Sequence, residues 1–228
     1  MKLRSLDELS TALNGLVTWR RHELKNLQSH FRGEKSPLSA LVKSALLLTY
    51  AHWEGGVKDM AEVYLRFVER QRHLRKDLHP SFLALASLPA IRACAGSNKL
   101  LPYLQAVDFV ITHHDDRYRL PGIQLIDTES NLSSQVLRNI LLCIGQPEAW
   151  THFEDKQRTI DVALLATRNS IAHTGKTDRD EIPIDLLLED VLLLLERFKT
   201  LLENSAATKK YLVTETHWSP LQSPEPQN

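Results

Sequence analysis

Apolar residues recur at helical spacing along most of the chain. Leu6, Leu9, Leu13, Leu16, Val17, Leu24 and Leu27 fall on one face of a segment from about 5 to 32. Arg20, Arg21, His22 and Glu23 interrupt them as the wet side of such a helix would. Ser36-Pro37 is a start signal, a capping hydroxyl followed by proline at the first helical position. From there Leu41, Ala45, Leu48, His52, Val57, Ala61, Tyr64, Phe67 and Val68 predict a helix to about Leu74. Gly55-Gly56 lies inside it. Each glycine costs about 1 kcal/mol relative to alanine there, so close approach of another helix or of a ligand is expected.

His79-Pro80-Ser81 opens a short helix reaching about Ala95, and Leu100 to Phe109 predicts another. The stretch 96–130 is the least regular. Within it Tyr118-Arg119-Leu120 and Ile123-Gln124-Leu125 flank Pro121-Gly122, the pattern of a small hairpin. Asn131 is expected to cap a helix that Gly145 stops, and a further helix runs from about Asp155 to His173 and ends at Gly175. The last begins at Ile182-Pro183 and reaches about Asn204. Leu186, Leu187, Leu188 and Val191 to Leu195 leave it apolar almost all round, which predicts the central helix of a bundle or a subunit contact.

The fold class is therefore all-α, a helical bundle with a small irregular or hairpin insertion near 108–128. A single domain spans 1–210, and the stretch 211–228, with Pro220, Pro224 and Pro226, is expected to be a disordered tail. Composition narrows the function classes. Lysine plus arginine equals aspartate plus glutamate at 28 each, which argues against coating nucleic acid by bulk charge but leaves room for a local basic groove. Two cysteines make no disulfide framework and fit a reducing compartment. The charged start Met-Lys-Leu-Arg is not expected to act as a signal peptide, and the run Leu46–Ala51 is far short of a membrane span. The expected location is cytoplasmic, with no membrane partner. No Walker loop, dinucleotide glycine fingerprint or CxxC pair is present. His113-His114-Asp115-Asp116 reads as a solvated loop, because adjacent side chains rarely converge on one ion.

Two segments carry candidate chemistry. In Arg168-Asn169-Ser170-Ile171-Ala172-His173, Asn169 and His173 lie one turn apart on one face, and the long Arg168 side chain can fold towards them. A cation to hold a phosphate, an amide, and an imidazole to move protons suit phosphodiester chemistry without a metal. The plainer reading is a polar helix end whose histidine caps carbonyls. Average usage gives such a match by accident in about one chain in a hundred. The second segment is Tyr50-Ala-His-Trp53-Glu54-Gly-Gly-Val-Lys58, in which Glu54 and Lys58 have the favourable i,i+4 order for an ion pair. Arg70, Arg72, His73, Arg75 and Lys76 follow it as a basic run, either a solvated helix end or a set of RNA-phosphate contacts through Arg72, Arg75 and Lys76.

Arg168-Asn-x-x-x-His173 followed by Thr-Gly resembles the R-N-x-x-x-H signature of HEPN domains, and Tyr50 to Lys58 resembles the helix signature of the RiboL-PSP-type HEPN proteins. Ser130-Asn131-Leu132-Ser133, Ile144-Gly145 and Ile160-Asp161 add to that likeness, which covers roughly 5–207. The resemblance implies an all-helical bundle that pairs as a homodimer, with the two signatures facing across the two-fold axis. It implies a metal-independent endoribonuclease without cofactor. RNA is its substrate, and it acts as a toxin of a toxin–antitoxin or phage-defence system with an antitoxin or other neutralising protein. Arg168 and His173 would be the catalytic pair and Asn169 their support, with Trp53, Glu54 and Lys58 accessory at the cleft. The alternative is a catalytically silent HEPN module that binds as an antitoxin, sensor or assembly partner.

Overall fold

The computed structural model describes residues 3–31, 39–129, 131–176 and 184–213 and is all-α. Three long helices form its frame: α1 (Leu6–Phe31), α2 (Ser39–Gln71) and α7 (Ile184–Ala207), each packed on the other two. Their apolar stripes meet in one core. Leu9, Leu13, Val17 and Leu24 come from α1, Trp53, Val57, Met60 and Tyr64 from α2, and Leu188, Val191, Leu194, Leu195, Phe198 and Leu202 from α7. Helix α7 is the central helix that its composition predicts, although Leu186 and Leu193, two turns apart on one side, remain exposed. Polar pairs flank the α1–α7 seam. Ser10 Oγ donates to Glu203 at 2.7 Å, Gln28 Nε2 to Glu189 at 3.2 Å, and Arg21 pairs with Glu196.

The Gly55-Gly56 pair is explained by this packing. A Cβ on Gly56 would lie 2.4 Å from Leu195 Cδ2 of α7 and 3.4 Å from the Arg20 side chain of α1. Arg20 is itself buried, bonded to the Leu16 carbonyl at 2.9 Å and to Asp59 at 2.5 Å, with its guanidinium over Trp19. The glycines therefore admit two neighbouring helices and not a ligand.

Helix α3 (Pro80–Cys94) starts where His79 Nδ1 accepts from the Ser81 backbone N–H at 3.3 Å, with proline at its first position. It packs against α4 (Leu100–Thr112), which buries none of its own residues fully. Helix α5 (Ser134–Cys143) follows, then 3-10 turns at Pro147–His152 and Glu154–Lys156. A π-helical segment at Thr159–Ala166 runs into α6 (Thr167–Thr174). Among the described residues no helix is long and apolar enough to cross a membrane.

Four expectations need correction. First, no hairpin forms at Pro121-Gly122. The chain there runs along α2 and bonds to it, Leu120 N–H donating to Glu69 at 3.0 Å and Thr128 Oγ1 to Glu54, while bridges Leu74–Arg117 and Leu78–Leu212 stand alone. Second, α5 is capped by Ser133, whose Oγ accepts from Val136 N–H at 3.1 Å; the Asn131 N–H is turned to the Thr128 carbonyl. Third, the single helix expected over 155–173 is three successive windings, since 3-10, π and α turns share one apolar period too closely for sequence to separate them. Fourth, Tyr211, placed in the tail from sequence, is buried against Phe67 and His73, and its carbonyl accepts from His79 N–H at 2.8 Å. The expected starts at Ser36-Pro37 and Ile182-Pro183 and the chain from 214 lie outside the described residues.

Candidate active site

The site begins with a change of helical winding. The π turn of Thr159–Ala166 tightens into α6 at Thr167, whose Oγ1 still reaches back five residues to the Val162 carbonyl at 3.3 Å. Wide π turns are rare and shift the angular position of everything after them, so this junction sets which way Arg168 and Asn169 face. Asp161, inside the π segment, accepts from both the backbone N–H and the Oγ of Ser134, each at 2.7 Å. That pair of bonds holds the α6 strand of chain to the start of α5. The Ile160-Asp161 element of the sequence thus has a structural duty.

Arg168 is half-buried. Its Nη1 donates to Asn169 Oδ1 at 2.8 Å, and its guanidinium carbon lies 5.5 Å from the centre of the Tyr50 ring. A cation at that range over an aromatic face is attracted by the ring quadrupole, and the hydrogen bond to the Asn169 amide restrains it further. The sequence had suggested a fold-back towards His173; the contacts made are instead to Asn169 and Tyr50. Tyr50 is buried on α2, accepts from Leu132 N–H at 2.6 Å and lies one turn before Glu54. Burial and the neighbouring Glu54 carboxylate push its phenol well above the usual range, so it stays a neutral donor. Glu54 also accepts from Thr128 Oγ1 at 2.5 Å.

These contacts lie close together: Thr128 holds Glu54, Leu132 holds Tyr50, and Tyr50 with Asn169 holds Arg168. Tyr50 and Thr128 were not singled out from sequence. Tyr50 opens the Tyr50–Lys58 segment, where sequence alone gives it no role, and Thr128 reaches Glu54 only because the 118–128 chain lies against α2. Asn131 beside them keeps a buried Oδ1 without a hydrogen-bond partner among the described residues.

His173 closes the motif from the last turn of α6, exposed and without a hydrogen-bond or ionic partner among the described residues. The helix ends in a left-handed glycine, Gly175 at φ +66°, whose N–H bonds the Ile171 carbonyl at 2.9 Å. Thr174 Oγ1 donates to the Ser170 carbonyl at 2.7 Å and accepts from Lys176 N–H at 3.1 Å, so the turn that carries His173 is tied down while the imidazole is free. The carbonyl dipoles of a helix end favour a cation there.

The other expected site residues divide. Trp53 has no exposed surface and sits in the core between α2 and its neighbours, so it is not an accessory of an open cleft. Lys58 makes no ion pair with Glu54. It lines a groove of about 670 Å³ between α2 and residues 120–125. Arg75 stacks over Phe109 at 4.5 Å and donates to the His113 carbonyl, and Lys76 pairs with Asp115 at 2.6 Å. Both are spent within the protein, so of the three expected phosphate contacts Arg72 alone is left open to solvent without an ionic partner among the described residues. His113 pairs with Asp116 at 2.8 Å, as expected of a solvated turn.

A family model described as RiboL-PSP-HEPN matches residues 16–204. Neither a curated protein nor a solved structure matches the chain.

Proposed function

Because the chain belongs to the RiboL-PSP-HEPN family, we propose that the α6 turn is the centre of a metal-independent endoribonuclease. The observation that carries this reading is the oriented Arg168, held by the Asn169 amide and the Tyr50 ring on the helix whose last turn carries an unengaged His173. A guanidinium held in one plane is suited to two non-bridging oxygens of a phosphodiester.

In this reading the ribose 2′-oxygen attacks the adjacent phosphorus, forming one P–O bond as the P–O5′ bond breaks. His173 takes the proton from the 2′-hydroxyl, and Arg168 stabilises the charge that grows on the phosphate oxygens. The departing O5′ needs a proton from a second group. Each chain offers a single imidazole at this turn, so a pair of chains facing each other would supply the acid through the partner subunit's His173. The products are a 2′,3′-cyclic phosphate and a 5′-hydroxyl. Asn169 keeps Arg168 in place, and Glu54 acts one step further back as a positioning residue through Tyr50.

The biological role proposed is that of a toxin, in a toxin–antitoxin or phage-defence setting and held in check by a neutralising protein. Expression in a bacterial host tests it. Wild-type protein should slow growth, and Arg168→Ala or His173→Ala, expressed to the same level, should relieve the slowing. Equal toxicity of both variants would overturn the catalytic assignment. A harmless, well-folded wild type would favour the binding module.

A further inference from the structure

At the far end of α2 five arginines from three separate segments surround one cleft. Arg4 comes from the chain before α1, Arg70 and Arg72 from the end of α2, and Arg117 and Arg119 from the segment after α4. The cleft measures about 410 Å³. Glu69 is the one carboxylate lining it, and its Oε1 already accepts from Leu120 N–H. None of the five guanidinium groups has an ion pair or a side-chain hydrogen bond among the described residues, and all five residues are exposed. Five cations against one carboxylate leave a surplus of four positive charges in a space the size of a small-ligand pocket.

Bringing like charges together costs energy unless something anionic joins them. Here the gathering is enforced by backbone. Tyr118 N–H donates to the His73 carbonyl and Arg75 N–H to the Asp116 carbonyl, each at 2.9 Å, which sets Arg117 and Arg119 beside Arg72. Gln71 Nε2 donates to the Arg4 carbonyl at 3.4 Å and so brings in the fifth. Arg72 adds strain of its own, because it sits in the left-handed region at φ +63° where a residue with a Cβ is disfavoured. Twenty residues of α2 separate Arg70 from Tyr50, about 30 Å along the helix axis, so this cleft is not part of the α6 turn.

We propose that the cleft binds a chain of linked phosphates, the triphosphate group carried by a free nucleoside triphosphate or by the 5′ end of an unprocessed RNA. A triphosphate packs several charges into one compact ligand, which fits a compact cluster of guanidinium forks. A run of ordinary phosphodiesters, spaced along a strand, fits an extended stripe instead. The proposal is independent of the nuclease reading, since it concerns binding at a distant site.

The test is titration of the full chain with inorganic triphosphate, ATP, and one short RNA sequence bearing either a 5′-triphosphate or a 5′-hydroxyl. The RNA arms use the His173→Ala protein so that the probe is not consumed. Saturable binding of inorganic triphosphate is expected, weakened about tenfold or more for each guanidinium lost, in Arg119→Gln and in the double variant Arg70→Gln/Arg119→Gln. Arg72→Gly keeps the backbone at ease while removing a charge and should weaken binding without lowering the melting temperature. Preference for ATP over the triphosphate RNA identifies a nucleotide ligand, and the reverse identifies an RNA end. No binding of inorganic triphosphate would overturn the proposal. So would binding indifferent to these substitutions, or equal affinity for the 5′-hydroxyl RNA.

Discussion

Helix α2 serves two arginine sites that differ in what surrounds the guanidinium. Near its middle, Arg168 meets an aromatic ring and an amide, with Tyr50 in turn fixed by Leu132. At its end, five arginines meet with no partner among the described residues. One site orients a single cation; the other accumulates charge. Orientation is what a transition state needs, because only interactions made better there than in the ground state raise a rate. Accumulated charge gives affinity and attraction over distance, which is what a binding site needs.

The largest effect expected from this contrast is at the oriented site. His173→Ala should lower cleavage about 10³-fold, within the range for losing a general acid–base group, and Arg168→Ala about 10²–10³-fold. Arg168→Lys should not restore activity, because an ammonium cannot present the planar fork. Arg70→Gln/Arg119→Gln should leave cleavage of a short 5′-hydroxyl RNA unchanged in the same assay. If it lost activity as Arg168→Ala does, the two sites would not be separate.

Next comes stability within one motif. Trp53→Ala empties a fully buried site and should cost about 3–5 kcal/mol in a denaturant titration. Tyr50→Phe keeps the ring beneath Arg168 but strands the buried Leu132 N–H, for about 1–3 kcal/mol. Gly56→Ala sets overpacking of about 1–3 kcal/mol against about 1 kcal/mol of helix propensity gained, because Leu195 is wholly buried and cannot swing aside. A drop of about 2–4 °C in melting temperature per kcal/mol lost reads the balance.

The smallest effect is on pH. Burial lowers the pKa of His52 and of His79 below the ordinary histidine value. The unfolded chain then binds more protons than the folded one as pH falls past about 6.5, so stability declines on acidification. His79 has a specific reason to resist: its Nδ1 accepts from Ser81 N–H, and a protonated nitrogen cannot. Melting temperature should fall between pH 7.5 and 5.5, and less so in His79→Asn, which retains a capping oxygen.

The sequence made some of this readable and hid the rest. Helices α1, α2 and α7 follow from apolar spacing alone. For α4 the spacing tells a helix but not its setting: Leu100, Leu101, Leu104 and Ile111 are as apolar as the α7 leucines yet stay exposed. The Arg168-Asn169-His173 turn was legible because its residues lie within six positions of each other. Tyr50 and Thr128 were not, since their roles come from chain segments brought together by the fold. Within the basic run from Arg70 to Lys76, sequence offers Arg72, Arg75 and Lys76 together as phosphate contacts. Phe109 and Asp115 take two of these away, and Arg4, Arg117 and Arg119 join the third from distant parts of the chain. Nor could spacing reveal the π segment, because six of the eight residues of Thr159–Ala166 are apolar and leave no single face to follow.

Cleavage of total RNA by purified wild-type and His173→Ala proteins in EDTA, with analysis of the new ends, tests the central claim most directly. The account predicts cutting without metal that leaves 2′,3′-cyclic phosphate and 5′-hydroxyl ends and is lost in the variant. Absence of cutting by folded wild-type protein, or cutting that persists in His173→Ala, would contradict it.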